Sequence, residues 1–320
     1  MVQARALKQK LLIIAGPTCV GKTKLAMNCY DLLNCELISA DSMQIYRGCD
    51  IATAKISKSE LKKYPHKNIN LIDFNQSYSV AEFKAATLKQ IDDISEQGKL
   101  PILVGGTGLY IESLLFTYDF NNCSKNDELR KKYSDLYDEV GGEELIAKIR
   151  TCNPSLAEDL HPNNKKLILR KLEIALLGET NDSSDKKNFE NSNFDYQIVF
   201  LNKDREQLYS DINARIDIMV QSGLIEEAKK LFDYERQNNV TLQVSSAIGY
   251  KELYPYFNGE VSLNDAIEKI KQHTRNYAKR QITWYKRYTS NIEWVNNNSA
   301  DNYKNLLNYL TEKYADYLKK

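Results

Sequence analysis

The octet Gly16-Pro17-Thr18-Cys19-Val20-Gly21-Lys22-Thr23 fits the pattern G-x-x-x-x-G-K-[ST] and constrains the fold more than any other stretch of the chain. Its glycines let the backbone curl so that successive N–H groups converge on an anion. The helix that follows adds the positive end of its dipole. Lys22 supplies a mobile charge, and Thr23 a hydroxyl for Mg2+, which prefers oxygen ligands. Such a cradle needs a strand before it and a helix after it. Leu11 to Ala15 is a short continuous apolar run, as a strand buried on both faces would be. Leu25, Ala26, Cys29, Leu32 and Leu33 then recur on one side of a helical pattern.

The same alternation continues. Glu36 to Ala40 reads as a second strand and Ile69 to Phe74 as a weaker third. Val80 to Glu96 is helical and stops at Gly98; Ile102 to Val104 is a strand running into Gly105-Gly106-Thr107-Gly108. From Asn126 to Leu177 the patterns are helical, and the polar stretch Glu179 to Asn193 reads as a loop. Tyr196 to Leu201 returns to the sheet. Helices are expected over Asp204 to Gln237, Ala247 to Tyr256, Leu263 to Tyr288 and Tyr303 to Leu318, with a last short strand at Ile292 to Val295. The expected fold is an α/β P-loop parallel-sheet core flanked by helices, residues 1–118 and 194–320, carrying an all-helical insertion at residues 119–193.

A chain of 320 residues is long enough for that arrangement. Lys and Arg number 44 against 43 Asp and Glu, a net charge of +1, which excludes a global polycation coating nucleic acid. Any polyanion must be held by local clusters. The longest aliphatic run falls far short of the roughly 20 apolar residues of a membrane span, and no signal peptide is read. The cysteines form no C-x-x-C pair, and His66, His161 and His273 are scattered, so no zinc site is expected. The thiols are those of a reduced, cytoplasmic protein.

In an open parallel sheet, ligands sit beyond the carboxyl ends of the strands. Asp41, in Ala40-Asp41-Ser42-Met43-Gln44, and Thr107 should therefore face the P-loop. Asp41 could hold Mg2+ indirectly, act as a general base or cap a turn, and Asp73 could serve instead as the metal-binding acid of an NTPase. Two stretches are basic and lack acids. Lys271 to Tyr288 interleaves Arg275, Lys279, Arg280, Lys286 and Arg287 with Tyr277, Trp284, Tyr285 and Tyr288. Asn163 to Lys171 carries Lys165, Lys166 and Arg170. Such clusters suit phosphates and stacked bases. A long amphipathic helix with its aromatics in the core is the favoured reading of the aromatic residues.

GPTCVGKT, SADSMQIYRGCDIATAK, VGGTGLY, LYSDINARIDIMVQSGLIEEA, AIGYKEL and TRNYAKRQITWYKR, in this order, resemble the tRNA dimethylallyltransferases (tRNA isopentenylpyrophosphate transferases). The likeness runs from about residue 11 to about residue 295. It implies that dimethylallyl diphosphate occupies Gly16, Pro17, Thr18, Cys19, Val20, Gly21, Lys22 and Thr23, and that the prenyl group passes to N6 of the adenosine just 3′ of the anticodon. Asp41 is then the general base. Thr18 contacts the diphosphate or the reacting centre, Lys22 and Arg215 hold the diphosphate, and Thr23 binds Mg2+. Asp41, Ser42, Met43, Gln44 and Thr107 would receive the adenosine, and Arg130, Asn164, Lys165, Lys166, Leu167, Ile168, Lys279 and Arg280 the rest of the tRNA anticodon stem-loop. The resemblance implies a cytoplasmic monomer of bacterial type, without the zinc finger of some eukaryotic relatives and without membrane contact. The family usually has Asp and Arg where this chain has Asn164 and Leu167, Arg in place of Asp211, and Gly in place of Ala52. The alternatives are an adenylate isopentenyltransferase, a P-loop nucleotide kinase or NTPase, and a non-enzymatic RNA-binding module.

Overall fold

The computed structural model describes residues 8–116, 127–158, 160–177, 194–288 and 290–319. The chain divides into two compact units, Met1–Leu115 with Asn191–Lys320, and Phe116–Glu190. The ends proposed for the insertion, 119 and 193, lie outside the described residues, as does the polar stretch before residue 194.

The first unit is built on a six-stranded sheet. Its strands are β1 (Gln9–Ala15), β2 (Cys35–Ser39), β4 (His66–Lys67), β6 (Leu100–Val104), β7 (Phe194–Asn202) and β8 (Ile292–Asn296), ordered β4-β2-β6-β1-β7-β8. All pairings are parallel. Two short strands, β3 (Tyr46–Arg47) and β5 (Ile72–Asp73), form a separate ribbon. The expected third strand at Ile69 to Phe74 thus shrinks to β5 outside the main sheet, whose edge is taken by β4. Two residues of β4 are too few to leave a period in the sequence.

β1 sits in the middle of the sheet, and its residues Leu11 to Ala15 are fully buried. Leu12 and Ile14 join Leu37, Ile102, Val199 and Leu201 in a core with Leu25 and Cys29 of α1 (Lys22–Leu32) and Leu306 and Leu310 of α12 (Ala300–Lys313). Burial on both faces explains why the strand reads as an unbroken apolar run rather than an alternation. α2 (Lys58–Lys63) and α3 (Val80–Glu96) each begin with a complete capping box, Ser57/Glu60 and Ser79/Glu82. α4 is Gly108–Leu115.

After β7 come α8 (Arg205–Gln221) and α9 (Leu224–Asn238), separated at Gly223. That glycine, at φ 101, interrupts what the pattern predicts as one helix. The helix expected from Ala247 to Tyr256 is mostly turn, and only α10 (Tyr254–Phe257) forms. Gly249 stands at φ 110, and its N–H is drawn to the Glu252 carboxylate at 2.8 Å. α11 (Leu263–Tyr285) is the long basic helix.

The second unit contains α5 (Asp127–Val140), α6 (Gly142–Cys152) and α7 (Lys165–Leu177). Tyr133, Leu145, Ile146, Ile149, Ile168 and Leu172 form its own core.

Candidate active site

β1 enters the glycine loop at Gly16, where φ is 143 and a β-carbon would stand 2.4 Å from the Leu201 carbonyl oxygen of β7. A side chain there would push the two strands apart. The loop then turns through Cys19 and Gly21, both with positive φ, and α1 opens at Lys22. Thr18, Cys19, Val20, Gly21, Lys22 and Thr23 line a cleft of about 720 Å³. Gly16 and Pro17 lie behind this wall and contribute their carbonyls, to which the Lys22 ammonium donates at 2.9 and 2.7 Å. Burial pulls the Lys22 pKa down to about 8, against the raising influence of Asp41 and Cys19 and with the help of Arg215. Arg215 reaches the loop from α8, donating to the Cys19 Sγ at 3.6 Å.

Asp41 leaves the end of β2 and also lines the cleft. Its Oδ1 accepts the Met43 N–H at 2.9 Å, so it caps the local turn while facing the P-loop. Burial raises its pKa; the Met43 N–H, Lys22, the Gln44 N–H and Lys55 oppose the shift. Thr107 accepts the Ser42 N–H at 3.2 Å and donates its own N–H to the Ala40 carbonyl at 3.3 Å, tying the ends of β2 and β6 together. Ser42, Met43 and Gln44 line the cleft. Gln44 is fixed by Ser39 Oγ, which donates to it at 3.2 Å, and by its own donation to the Thr53 carbonyl at 3.1 Å. Tyr277 of α11 also lines the cleft, its phenol pushed up by burial and by the Asp41 charge.

Gln281 is a site residue that sequence reasoning missed. It is buried, accepts the Thr18 N–H at 3.1 Å and donates to the Gly106 carbonyl at 3.0 Å. One amide thus fastens the P-loop to the turn after β6. At Gly106 a β-carbon would stand 2.1 Å from the Gln281 Nε2, so the amide occupies the space a side chain would need. Its only sequence signal was its place within the basic helix.

Asp73 is elsewhere. It is exposed on the β3–β5 ribbon and pairs with Arg47 at 3.1 Å. Among the described residues, no group of three or more His, Cys, Asp or Glu could hold a metal. Thr23 is exposed at the cleft, so its hydroxyl is accessible.

The family model described as IPP transferase matches residues 44–288. The chain belongs to the IPP transferase family. The tRNA dimethylallyltransferase of Bacillus subtilis (strain 168) is 42% identical over 280 residues, 87% of this chain and 88% of the relative. That of Bacillus cereus (strain B4264) is 41% identical over 307 residues, 96% of each. Among solved structures, the full-length tRNA isopentenylpyrophosphate transferase of Bacillus halodurans superposes with a TM-score of 0.70 at 38% identity, covering 97% of this chain and 98% of that one. A eukaryotic dimethylallyltransferase acting on tRNA gives 0.79 at 27% identity, over 98% and 81%. The P-loop α/β architecture is therefore the IPP transferase fold.

In this IPP transferase the remaining candidates fall in different settings. Lys279 and Arg280 are exposed on α11, and Arg280 lines the cleft. Tyr285 and Tyr288 on the same stretch are buried, as an amphipathic helix requires. Lys271 is engaged with Asp217 at 2.9 Å and Glu268 at 3.0 Å. Asp211, which lines the cleft, is desolvated but held below the usual carboxylate range by Lys203 and Gln207. In the helical unit, Asn164 accepts the Leu167 N–H at 3.3 Å; it retains the capping role that an Asp would play. Lys165 pairs with Asp138 at 2.6 Å, and Lys166 and Leu167 are exposed. Ile168 corrects the expectation: it is 0% exposed in that unit's core, so its side chain is packed away from any RNA. Arg130 falls on α5, and its side chain lies outside the described residues. Among the described residues, no helix is long and apolar enough to cross a membrane.

Proposed function

We propose that this chain transfers the dimethylallyl group of dimethylallyl diphosphate to N6 of the adenosine 3′-adjacent to the anticodon of tRNA. The observation that carries the reading is the meeting, in one cleft, of a P-loop with its lysine and a desolvated carboxylate at the end of β2, two strands from β1, Asp41. The first suits a leaving anion and the second suits a departing proton. Membership of the IPP transferase family and relatives called tRNA dimethylallyltransferases support it.

The allylic C–O bond breaks as the N6–C bond forms, and the bond's electron pair leaves on the diphosphate. Lys22, Arg215 and the N–H groups at the start of α1 would stabilise that charge, and Thr18 would contact the diphosphate or the reacting centre. The exocyclic amine is a weak base, so its proton must be taken as the bond forms; Asp41 takes it. Burial makes Asp41 a stronger base than a solvated carboxylate, while Lys22 and the Met43 N–H favour its ionised form. The residues present fit Mg2+: Thr23 offers a hydroxyl, and this ion is commonly held by few protein groups together with substrate phosphates. When bound it would supply further neutralisation of the leaving diphosphate.

Ser42, Met43, Gln44 and Thr107 would receive the adenosine after it leaves its stack, and Lys279 and Arg280 would meet phosphates. The helical insertion would grip the anticodon arm, with Asn164, Lys165, Lys166 and Leu167 at the start of α7. A nucleotide-sized acceptor would not require such a unit. A kinase or NTPase reading is disfavoured, because Asp73, the acid it would use, is exposed on the β3–β5 ribbon and absent from the cleft lining. The protein is assigned to the cytoplasm as a monomer.

The test is transfer from radiolabelled dimethylallyl diphosphate. Label should pass to an unmodified tRNA and to its anticodon stem-loop. Transfer to AMP alone would overturn the tRNA assignment, and release of phosphate from ATP without prenyl transfer would overturn the reaction class.

A further inference from the structure

The loop at residues 48–56 forms one wall of the cleft through Ala52, Thr53 and Ala54. Three of its successive N–H groups converge on a single carboxylate. Glu227, in the first turn of α9, accepts from Asp50 at 2.7 Å, from Ile51 at 2.9 and 3.1 Å and from Ala52 at 3.0 Å. The hydroxyl of Tyr250 donates to the same carboxylate at 2.7 Å. Both Glu227 oxygens are thus filled by donors: Oε1 by Ile51, Ala52 and Tyr250, and Oε2 by Asp50 and Ile51. The loop needs such a hold, because Ala54 is a non-glycine residue at φ 52.

The loop passes its position on to the cleft floor. The Thr53 carbonyl accepts from the Gln44 amide at 3.1 Å, and Gln44 lies in the segment assigned above to the adenosine. The P-loop, by contrast, is fastened by Gln281 from a different helix. We infer that Glu227 is a positioning residue for the acceptor side of the cleft, acting through the loop at residues 48–56 and Gln44 and not through the diphosphate cradle. This rests on the transfer reading above.

Glu227→Gln is nearly isosteric but sets an NH2 group against N–H donors at one of the two oxygens. Its KM for tRNA should rise about tenfold, equivalent to about 1.4 kcal/mol, with the Kd for dimethylallyl diphosphate within about twofold of wild type. Tyr250→Phe removes one donor and leaves the carboxylate, so it should move the KM for tRNA in the same direction by less. A KM for tRNA unchanged in both variants overturns the inference, as does an equal loss for both substrates. Hydrogen exchange gives a readout independent of the reaction. The amides of Asp50, Ile51 and Ala52 should lose protection in Glu227→Gln while those of β1 and β6 keep theirs, and unaltered protection at these three overturns the clamp. Wild-type protein that fails to prenylate tRNA would instead defeat the functional reading, leaving the exchange result to judge the clamp.

Discussion

Replacing Gln281 by leucine should loosen the P-loop without opening a cavity. The two side chains are close in volume, so the change isolates the polar interaction from packing. Two hydrogen bonds vanish: the one from the Thr18 N–H at 3.1 Å and the one to the Gly106 carbonyl at 3.0 Å. A buried group left without a partner costs about 1–3 kcal/mol, whereas a bond exchanged for one to water costs about 0.5–1.5 kcal/mol. The Thr18 N–H is half-buried and can find water, whereas the Gly106 carbonyl is buried. The sum is a loss of about 1.5–4.5 kcal/mol in unfolding free energy. Diphosphate binding should weaken as well, because the loop that presents the N–H groups is no longer tied to β6. Chemical denaturation gives the first quantity and calorimetric titration with dimethylallyl diphosphate the second. Gln281→Glu is the companion: it keeps the acceptor for Thr18, loses the donor for Gly106 and adds a negative charge near the anion site. It should bind the diphosphate more weakly than Gln281→Leu. A Gln281→Leu protein as stable as wild type, with unchanged diphosphate affinity, would refute the idea that this amide holds the loop.

Asp41→Asn should lower kcat by about 10²–10⁴ while leaving diphosphate binding in place, and near-normal turnover in single-turnover assays would remove Asp41 from the base role. Lys22 has its pKa lowered to about 8, and only its protonated form attracts the diphosphate, so affinity for dimethylallyl diphosphate should fall as pH rises through about 8. Titrations between pH 7 and 9.5 with a flat affinity would contradict this. Lys279 and Arg280 changed together to alanine should weaken tRNA binding and reduce the slope of log affinity against log salt by up to about 1.4; an unaltered slope would make the exposed face of α11 a bystander.

What the chain reveals of itself beforehand depends on sequence distance. The P-loop, the helix from Val80 to Glu96 and its stop at Gly98 each involve groups a few residues apart, and all stand where the local pattern puts them. β1 and β6 were legible because burial on both faces makes them continuously apolar, and β7 because Ile198 to Leu201 is such a run. The carboxyl-end rule pointed to Asp41 and Thr107: Asp41 lines the cleft with the P-loop, and Thr107 is absent from that lining and holds the Ser42 N–H instead. Failures came where tertiary contacts decide. Gln281 meets Thr18 across 263 positions, and Glu227 meets the loop at residues 50–52 across 175 to 177. Nothing near either residue in the chain announces its partner. Ile168 shows the converse: a basic stretch drew attention to its neighbours, but an isoleucine inside that stretch is there to fill a core. At Gly249 a helical spacing was overruled by one backbone angle and the carboxylate that fixes it.

The pairing of β1 with β7 has a bearing on synthesis. Gln9 lies opposite Phe194, so the central strand waits for its second neighbour until the ribosome has traversed the intervening chain. At about 5–20 residues per second that interval is on the order of 10–40 seconds. During it, one long edge of the most apolar strand in the nascent protein has no partner. The growing polypeptide must therefore be shielded, by chaperones or by the tunnel exit itself, and a slowdown in translation after residue 115 would lengthen its exposure to aggregation.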